Sequence, residues 1–157
     1  KRWAEKIAQL DAFVFVTPEY NHSTSGALKN AIDFLYAEWN NNTAGFVAYG
    51  SVGGTRAVEH LRLIMAELQI ADVRAQVALS LSDDFENYSE FKPKEGREKL
   101  VHTMLDQLIA SELRGRSPSE LHAIRAFMRR ITVGPSMPGK PISTMACAPV
   151  SWLSTIC

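Results

Sequence analysis

The chain has 157 residues, of which 46% are hydrophobic and 22% charged, a composition typical of one compact globular domain. No stretch approaches the roughly 18 uninterrupted apolar residues of a membrane-spanning helix, and the charged first residues are unlike a secretory signal. The 17 basic and 17 acidic residues balance, and Cys147 and Cys157 form no spaced metal motif. We therefore expect a cytoplasmic protein without a metal site.

The first elements alternate between helix and strand. Apolar residues at helical spacing indicate a helix over residues 3–10. Residues 13–17 (Phe-Val-Phe-Val-Thr) are a continuous run of aromatic and β-branched side chains, which is typical of a strand buried on both faces. Pro18 ends that strand, because proline cannot donate to a sheet ladder.

A second helix follows, and the alternation then continues. Ser23, Thr24 or Ser25 can cap this helix, whose apolar residues recur every three or four positions up to the asparagines at 40–42. Regular alternation of helices and strands predicts a parallel sheet with helices on both faces. The remaining predicted elements are a strand at 45–49, a helix at 55–68, a strand at 73–81, a loop at 82–96 and a helix at 97–113.

The chain changes character near residue 113. Residues 1–113 hold 11 Lys/Arg and 16 Asp/Glu, whereas residues 114–157 hold six and one. We predict an α/β domain over the first range and a basic tail over the second. Ser-Pro-Ser-Glu at 117–120 starts a helix at about 118–131, and the prolines and glycines beyond it predict a disordered end. A solvated basic face explains the charge better than nucleic-acid binding, because no recognised module is present.

Two segments lie where ligand sites form in parallel α/β sheets, at the carboxyl ends of strands. One is residues 17–23 (Thr-Pro-Glu-Tyr-Asn-His-Ser), and the other is residues 50–56 (Gly-Ser-Val-Gly-Gly-Thr-Arg). Each leads into a helix N-terminus, which offers backbone N–H donors without intrahelical partners. Glycine lets the backbone approach a ligand closely. Two such loops facing one crevice would suit a flat heterocycle rich in carbonyl and ring-nitrogen acceptors.

The first loop and the run Gly-Ala-Leu-Lys-Asn-Ala-Ile-Asp at 26–33 resemble the signature of the NADPH-dependent FMN reductase family. The Gly-Ser-Val-Gly-Gly loop at 50–54 looks like the family's second flavin loop, although such a loop alone is weak evidence. The likeness covers about residues 3–113. It implies a flavodoxin-like three-layer α/β/α sandwich with a parallel sheet, and a homodimer or homotetramer.

The resemblance also implies chemistry. Members bind FMN, take hydride from NADPH or NADH and reduce a quinone, azo dye, metal ion or free flavin. Because the cofactor carries this chemistry, no catalytic side chain is predicted. The implied cofactor-binding residues are Pro18, Glu19, Tyr20, Asn21, His22, Ser23, Gly50, Ser51, Gly53 and Gly54.

Structural alternatives stay open for the first of these residues. Pro18 either only ends its strand or also shapes the flavin loop. Glu19 is a first-turn carboxylate, a surface charge or a residue that binds through its backbone. Tyr20 packs as a half-buried aromatic, covers the ring or lines a subunit contact, and Asn21 suits both a turn and binding by its N–H.

The same holds for the other loop residues. His22 is a loop residue at the mouth of the site or, less favoured, a general acid. Ser23 is a helix cap or a ligand donor. Gly53 and Gly54 form a strand-to-helix turn or a flavin contact, and Arg56 pairs with a carboxylate or attracts the NADPH phosphates.

The sequence departs from the family pattern at the start of the chain. Family members begin with a strand, a Ser/Arg-rich loop for the FMN phosphate, a helix and a second strand, and no counterpart precedes residue 3. We expect a sheet missing its first two strands, with residues 13–17 as an unpaired apolar edge. An alternative function follows: a catalytically inactive fragment that serves as a binding or assembly module, since each phosphate contact contributes roughly 1.5–3 kcal/mol.

Overall fold

The computed structural model describes residues 2–112 and 153–156. Each helix and strand predicted before residue 113 is present within a few residues of its predicted bounds, apart from a break in the second helix. The helix predicted at about 118–131 lies outside the described residues. In chain order the elements are α1 (Arg2–Ile7), β1 (Ala12–Pro18), α2 (Gly26–Asp33), a 3-10 turn (Ala37–Trp39), β2 (Thr43–Gly50), α3 (Thr55–Glu67), β3 (Ala71–Ser80), β4 (Phe85–Glu86), β5 (Glu90–Phe91), α4 (Arg97–Glu112) and β6 (Leu153–Ile156).

The main sheet is parallel and has the order β3-β2-β1-β6. β1 and β2 pair from Ala12 opposite Thr43 to Pro18 opposite Tyr49. The two strands therefore end together, and the loops that follow them leave the same edge of the sheet side by side. This register creates the candidate site.

β6 overturns the expectation that β1 is an unpaired edge. It pairs with β1 from Ala12 opposite Leu153 to Phe15 opposite Ile156, so the sheet has four strands. In the flavodoxin order 2-1-3-4-5, the first strand of the fold would lie on this side of β1. The end of the tail was predicted to be disordered because prolines and glycines precede it. The run Leu-Ser-Thr-Ile has instead the β-branched residues that favour a strand.

Two apolar cores, one on each face of the sheet, make the three layers that the sequence predicts. On one face Phe13, Phe15 and Phe46 pack against the buried Trp39, together with α1, α2 and α3. On the other face β3 packs against α4 through Val77, Leu79, Met104 and Leu108. Successive side chains along β1 point to opposite faces of the sheet, so Phe13 and Phe15 join one core and Ala12 and Val14 the other.

The second helix is shorter than predicted, because two tryptophans take up its last carbonyls. The Nε1–H groups of Trp3 and Trp39 donate to the carbonyls of Ala31 and Ile32 at 2.9 and 3.0 Å. Side-chain donors of this kind satisfy the carbonyls that a helix leaves free at its C-terminus. The helix therefore ends at Asp33, and only a 3-10 turn follows.

The segment predicted as a loop at 82–96 contains the β4–β5 hairpin. Asn87 and Tyr88 at its tip have φ of 53° and 57°, the left-handed backbone that tight hairpin turns need. The fully buried Asp84 holds its base, accepting from Arg97 Nε and Nη2 at 2.7 and 2.8 Å. Burial acts to raise the pKa of Asp84, but hydrogen bonds from Arg97 and from two backbone N–H groups outweigh it, and the pKa lies below its ordinary value.

Candidate functional site

The two loops singled out by sequence are in direct contact. The backbone N–H of Glu19, one residue beyond β1, donates to the carbonyl of Tyr49 on β2 at 2.8 Å. A Cβ placed on Gly50 would lie only 3.0 Å from the Cβ of Glu19, so glycine is what permits this approach. The segment after β1 and the segment after β2 thus form one continuous surface at the carboxyl edge of the sheet.

Glu19 holds the start of α3 from the neighbouring loop. Its side chain is only 5% exposed, and its carboxylate accepts from the Arg56 backbone N–H at 3.1 Å and from Arg56 Nε at 2.6 Å. The N-cap residue of α3 is Gly54, which has no side chain to satisfy the first N–H groups. A carboxylate at this end of a helix also interacts favourably with the helix dipole. Glu19 therefore caps α3 across a gap of 37 residues.

The electrostatics of Glu19 agree with this role. Burial acts to raise the pKa of the carboxyl, but the hydrogen bonds and positive charge of Arg56 outweigh that effect and hold the pKa below its ordinary value. Of the alternatives for Glu19, the surface charge is excluded, because its side chain is only 5% exposed and pairs with Arg56 of the other loop. The Glu19 N–H is also committed, so it is not a free donor for a ligand. For Arg56, this pairing favours the carboxylate alternative over the NADPH phosphates.

Residues 20–23 form a tight turn that projects from the sheet edge. Tyr20 and Ser23 exchange two backbone hydrogen bonds, of 2.9 and 3.0 Å. Asn21 and His22 between them have φ of 49° and 68°, both in the left-handed region, as a two-residue hairpin turn requires. Within the described part of the chain, the N–H groups of Asn21 and His22 have no acceptor. The tip of the turn therefore presents two neighbouring backbone donors.

The glycine loop presents a second set of donors. Gly53 and Gly54 have φ of 76° and 69°, and a Cβ on them would lie 2.9 and 2.6 Å from the Cβ atoms of Ala78 and Ala48. Both glycines are therefore required by the backbone and by packing, whatever the ligand. Among the described residues, the N–H groups of Ser51, Val52 and Gly54 have no acceptor.

The three consecutive hydroxyl residues at 23–25 have separate partners. Ser25 is the N-cap of α2 and accepts from the Leu28 N–H at 3.2 Å. Thr24 shares a 2.7 Å hydrogen bond with the buried Thr17. Ser23 is not the cap: its Oγ lies 2.9 Å from His60 Nδ1, on α3.

Sequence reasoning missed two parts of this site. His60 belongs to neither loop motif, yet it lies four residues after Arg56 and therefore on the same face of α3. The end of β3 also joins the site, because the Leu81 N–H donates to the Gly50 carbonyl at 3.0 Å. The exposed hydroxyls of Ser80 and Ser82, 2.8 Å apart, follow it.

The predicted site residues come together at one edge. Pro18 is the last residue of β1, opposite Tyr49. Tyr20 is 61% exposed, which excludes the alternative that it packs as a half-buried aromatic. Among the residues that the structure describes, no group of three or more His, Cys, Asp or Glu side chains could hold a metal. The described helices include none with the length and apolarity to cross a bilayer.

A parallel α/β sheet whose loops meet at its carboxyl edge is the arrangement in which doubly wound proteins, flavodoxin-like ones among them, bind their ligands. A protein-family model described as NADPH-dependent FMN reductase matches residues 1–84. The chain belongs to the NADPH-dependent FMN reductase family, and this prediction is confirmed. The names of the family and of its members give FMN and NAD(P)H as the cofactors.

Three relatives illustrate the range of the family. The NAD(P)H-dependent FMN reductase of Schizosaccharomyces pombe is 42% identical over 84 residues, covering 54% of this chain and 42% of the relative. The quinone reductase of Escherichia coli K12 is 45% identical over 71 residues, covering 41% of this chain and 38% of the relative. The NAD(P)H:quinone oxidoreductase of Solanum tuberosum is 32% identical over 121 residues, covering 71% and 62%. The match thus spans about two-fifths of the S. pombe and E. coli proteins.

Solved structures agree on the fold. An oxidoreductase from Corynebacterium diphtheriae has a TM-score of 0.58 at 18% identity, covering 72% of this chain and 61% of that one. FerB, a flavoenzyme NAD(P)H:(acceptor) oxidoreductase from Paracoccus denitrificans, has a TM-score of 0.54 at 22% identity, covering 68% and 65%. At these identities the likeness confirms the flavodoxin-like architecture alone.

Proposed function

We propose that this chain supplies the ring-binding part of an FMN-dependent NAD(P)H oxidoreductase. The observation that carries the proposal is the contact between the two loops: Glu19 bonds to Tyr49 and Arg56 and so fixes one loop against the other. The free donors at Asn21 and His22 then share an edge with those of the glycine loop.

The donor set fits FMN. The isoalloxazine ring is flat and carries carbonyl oxygens and ring nitrogens that accept hydrogen bonds, and backbone N–H groups are suitable donors for them. Asn21 and His22 would hold one side of the ring edge. Ser51, Val52 and Gly54 would hold another, and Gly50, Gly53 and Gly54 would let this loop pack closely against Glu19 and the strands behind it. Pro18, Glu19 and Ser23 would shape the loop around them, and the exposed Tyr20 would lie at its rim.

The reaction follows from the cofactor and the site together. The chemistry that bound FMN supplies is acceptance of hydride from NAD(P)H and delivery of two electrons to an acceptor. The chain's own residues would orient the ring and stabilise charge on its carbonyl oxygens by N–H donation. Solvent would provide the protons that a quinone takes up on becoming a hydroquinone.

The acceptor and the assembly are further parts of the proposal. We favour a quinone, because a relative from E. coli is named a quinone reductase and one from Solanum tuberosum an NAD(P)H:quinone oxidoreductase; azo dyes, metal ions and free flavin are other acceptors to test. We propose NADPH or NADH as donor and a cytoplasmic homodimer or homotetramer.

Binding of FMN tests the proposal. FMN is titrated into the purified chain while its fluorescence is recorded, and NADPH oxidation is followed with and without a benzoquinone. A chain extended at its N-terminus by the corresponding segment of the S. pombe relative is measured in parallel. Quenching in either chain supports flavin binding, and quenching in the extended chain alone supports the alternative that the segment by itself is an inactive module. No quenching in either chain contradicts the proposal.

A further inference from the structure

We propose that His60 is a positioning residue for the turn at residues 20–23, and that it acts through the hydroxyl of Ser23. The inference deepens the proposed function and rests on it, because the turn would direct its N–H donors at the flavin ring. Neither loop motif contains His60.

Two residues that hold the turn lie on one face of α3. Arg56 and His60 are four residues apart on this helix and so project from the same side. Arg56 binds Glu19, just before the turn, and His60 lies 2.9 Å from the Oγ of Ser23, at the end of the turn. One helix therefore holds the loop on both sides of the donor tip.

The turn has few other anchors. Tyr20, Asn21 and His22 are exposed, and the two backbone hydrogen bonds of the turn are internal to it. Within the described residues, the bond between Ser23 and His60 is the one side-chain hydrogen bond from residues 20–23 to another element. Glu19 and Thr24 fix the chain on either side of the turn, and this contact adds the one side-chain bond that joins the turn itself to α3.

The backbone of the turn also needs support. Left-handed φ at two consecutive non-glycine residues, Asn21 and His22, persists only where the surroundings hold it. Since α3 begins directly after the glycine loop, a turn fixed to α3 is also fixed relative to the donors of Ser51, Val52 and Gly54. His60 would thereby set the spacing between the two donor sets.

The first measurement needs no flavin. Amide hydrogen exchange at Tyr20 and Ser23 is followed by NMR in the wild-type chain, His60→Leu, Ser23→Ala and the double variant, with His102→Leu on the exposed face of α4 as the matched control. Both single variants should exchange about three- to tenfold faster, the double variant no faster than either, and the control unchanged. Unchanged exchange in His60→Leu overturns the proposal whether or not the chain binds FMN.

The second measurement links the turn to its ligand. The FMN dissociation constant should rise about three- to tenfold in each single variant and no further in the double variant. His60→Asn, whose amide can still bond to Ser23, should keep most of the wild-type affinity. The free energy of unfolding in urea should match the wild type throughout. Faster exchange with an unchanged dissociation constant overturns the positioning role. A wild-type chain that binds no FMN, alone or N-terminally extended, contradicts the proposed function, and exchange still decides whether His60 holds the turn.

Discussion

Glu19 and Arg56, 37 residues apart in sequence, join the two loops of the candidate site through a buried carboxylate. Both backbone and side chain of Arg56 donate to Glu19, which thereby caps α3. A contact that looks like a single ion pair thus does two things: it completes a helix end and fixes the distance between two sets of backbone donors.

Loss of the Glu19 charge should destabilise the fold. Glu19→Gln keeps the shape but weakens the bonds to Arg56 and to the helix dipole. Because Arg56 is 40% exposed, we expect a modest cost, about 1–2 kcal/mol of unfolding free energy in urea. Asp33→Asn breaks the exposed pair with Lys29 and is the matched control, with an expected cost below about 0.5 kcal/mol. Equal costs for the two variants would show that Glu19 does not cap α3.

Two glycine substitutions should act in opposite directions. Gly54→Ala places a Cβ 2.6 Å from the Cβ of Ala48 at a φ of 69°, and should cost about 2–4 kcal/mol. Gly26→Ala, at the first residue of α2 with no atom within 4 Å, should gain about 0.4–1 kcal/mol. Thermal unfolding measures both. A neutral Gly54→Ala variant would contradict the close approach of the glycine loop to β2.

The stability of the chain should fall in acid partly because of Asp84. Its pKa in the folded chain lies below the ordinary value, so the unfolded state takes up the proton first as the pH falls. The stabilisation is present above the ordinary pKa, near pH 4, and is lost as the pH drops through the folded value. Unfolding free energies between about pH 6 and pH 3 should fall less steeply in Asp84→Asn than in the wild type. Glu19, whose pKa is lowered too, accounts for part of the slope that remains. Parallel pH profiles would contradict the role of Asp84.

Removal of the last strand should expose β1. Without residues 151–157, the amide groups of β1 that face β6 lose their ladder partners, and an open apolar edge promotes self-association. We expect a larger sedimenting species and faster amide exchange at residues 12–15, with exchange in β3 unchanged. A truncated chain that stays at the wild-type size and exchanges at the wild-type rate would contradict the pairing of β6.

The parts of the fold that follow from local pattern were predictable. The buried runs of β1 and β2 and the periodic helices define a parallel sheet, and in such a sheet both motifs must lie at the carboxyl edge. The sequence allowed a carboxylate partner for Arg56, but no spacing rule names Glu19 as that partner or relates Ser23 to His60, so these contacts between distant residues were not predictable. β6 was missed for another reason: its four residues follow a stretch whose prolines and glycines dominate the local pattern.

The most direct test of the account is an NMR titration of the isotope-labelled chain with FMN, in which the backbone amide shifts of the two loops are followed together. The account predicts that the amide signals of Asn21 and His22 move with the same apparent dissociation constant as those of Ser51, Val52 and Gly54. The chemical shifts of the β4–β5 hairpin should not change. Shifts confined to one loop, or absent from both in the N-terminally extended chain as well, would contradict it.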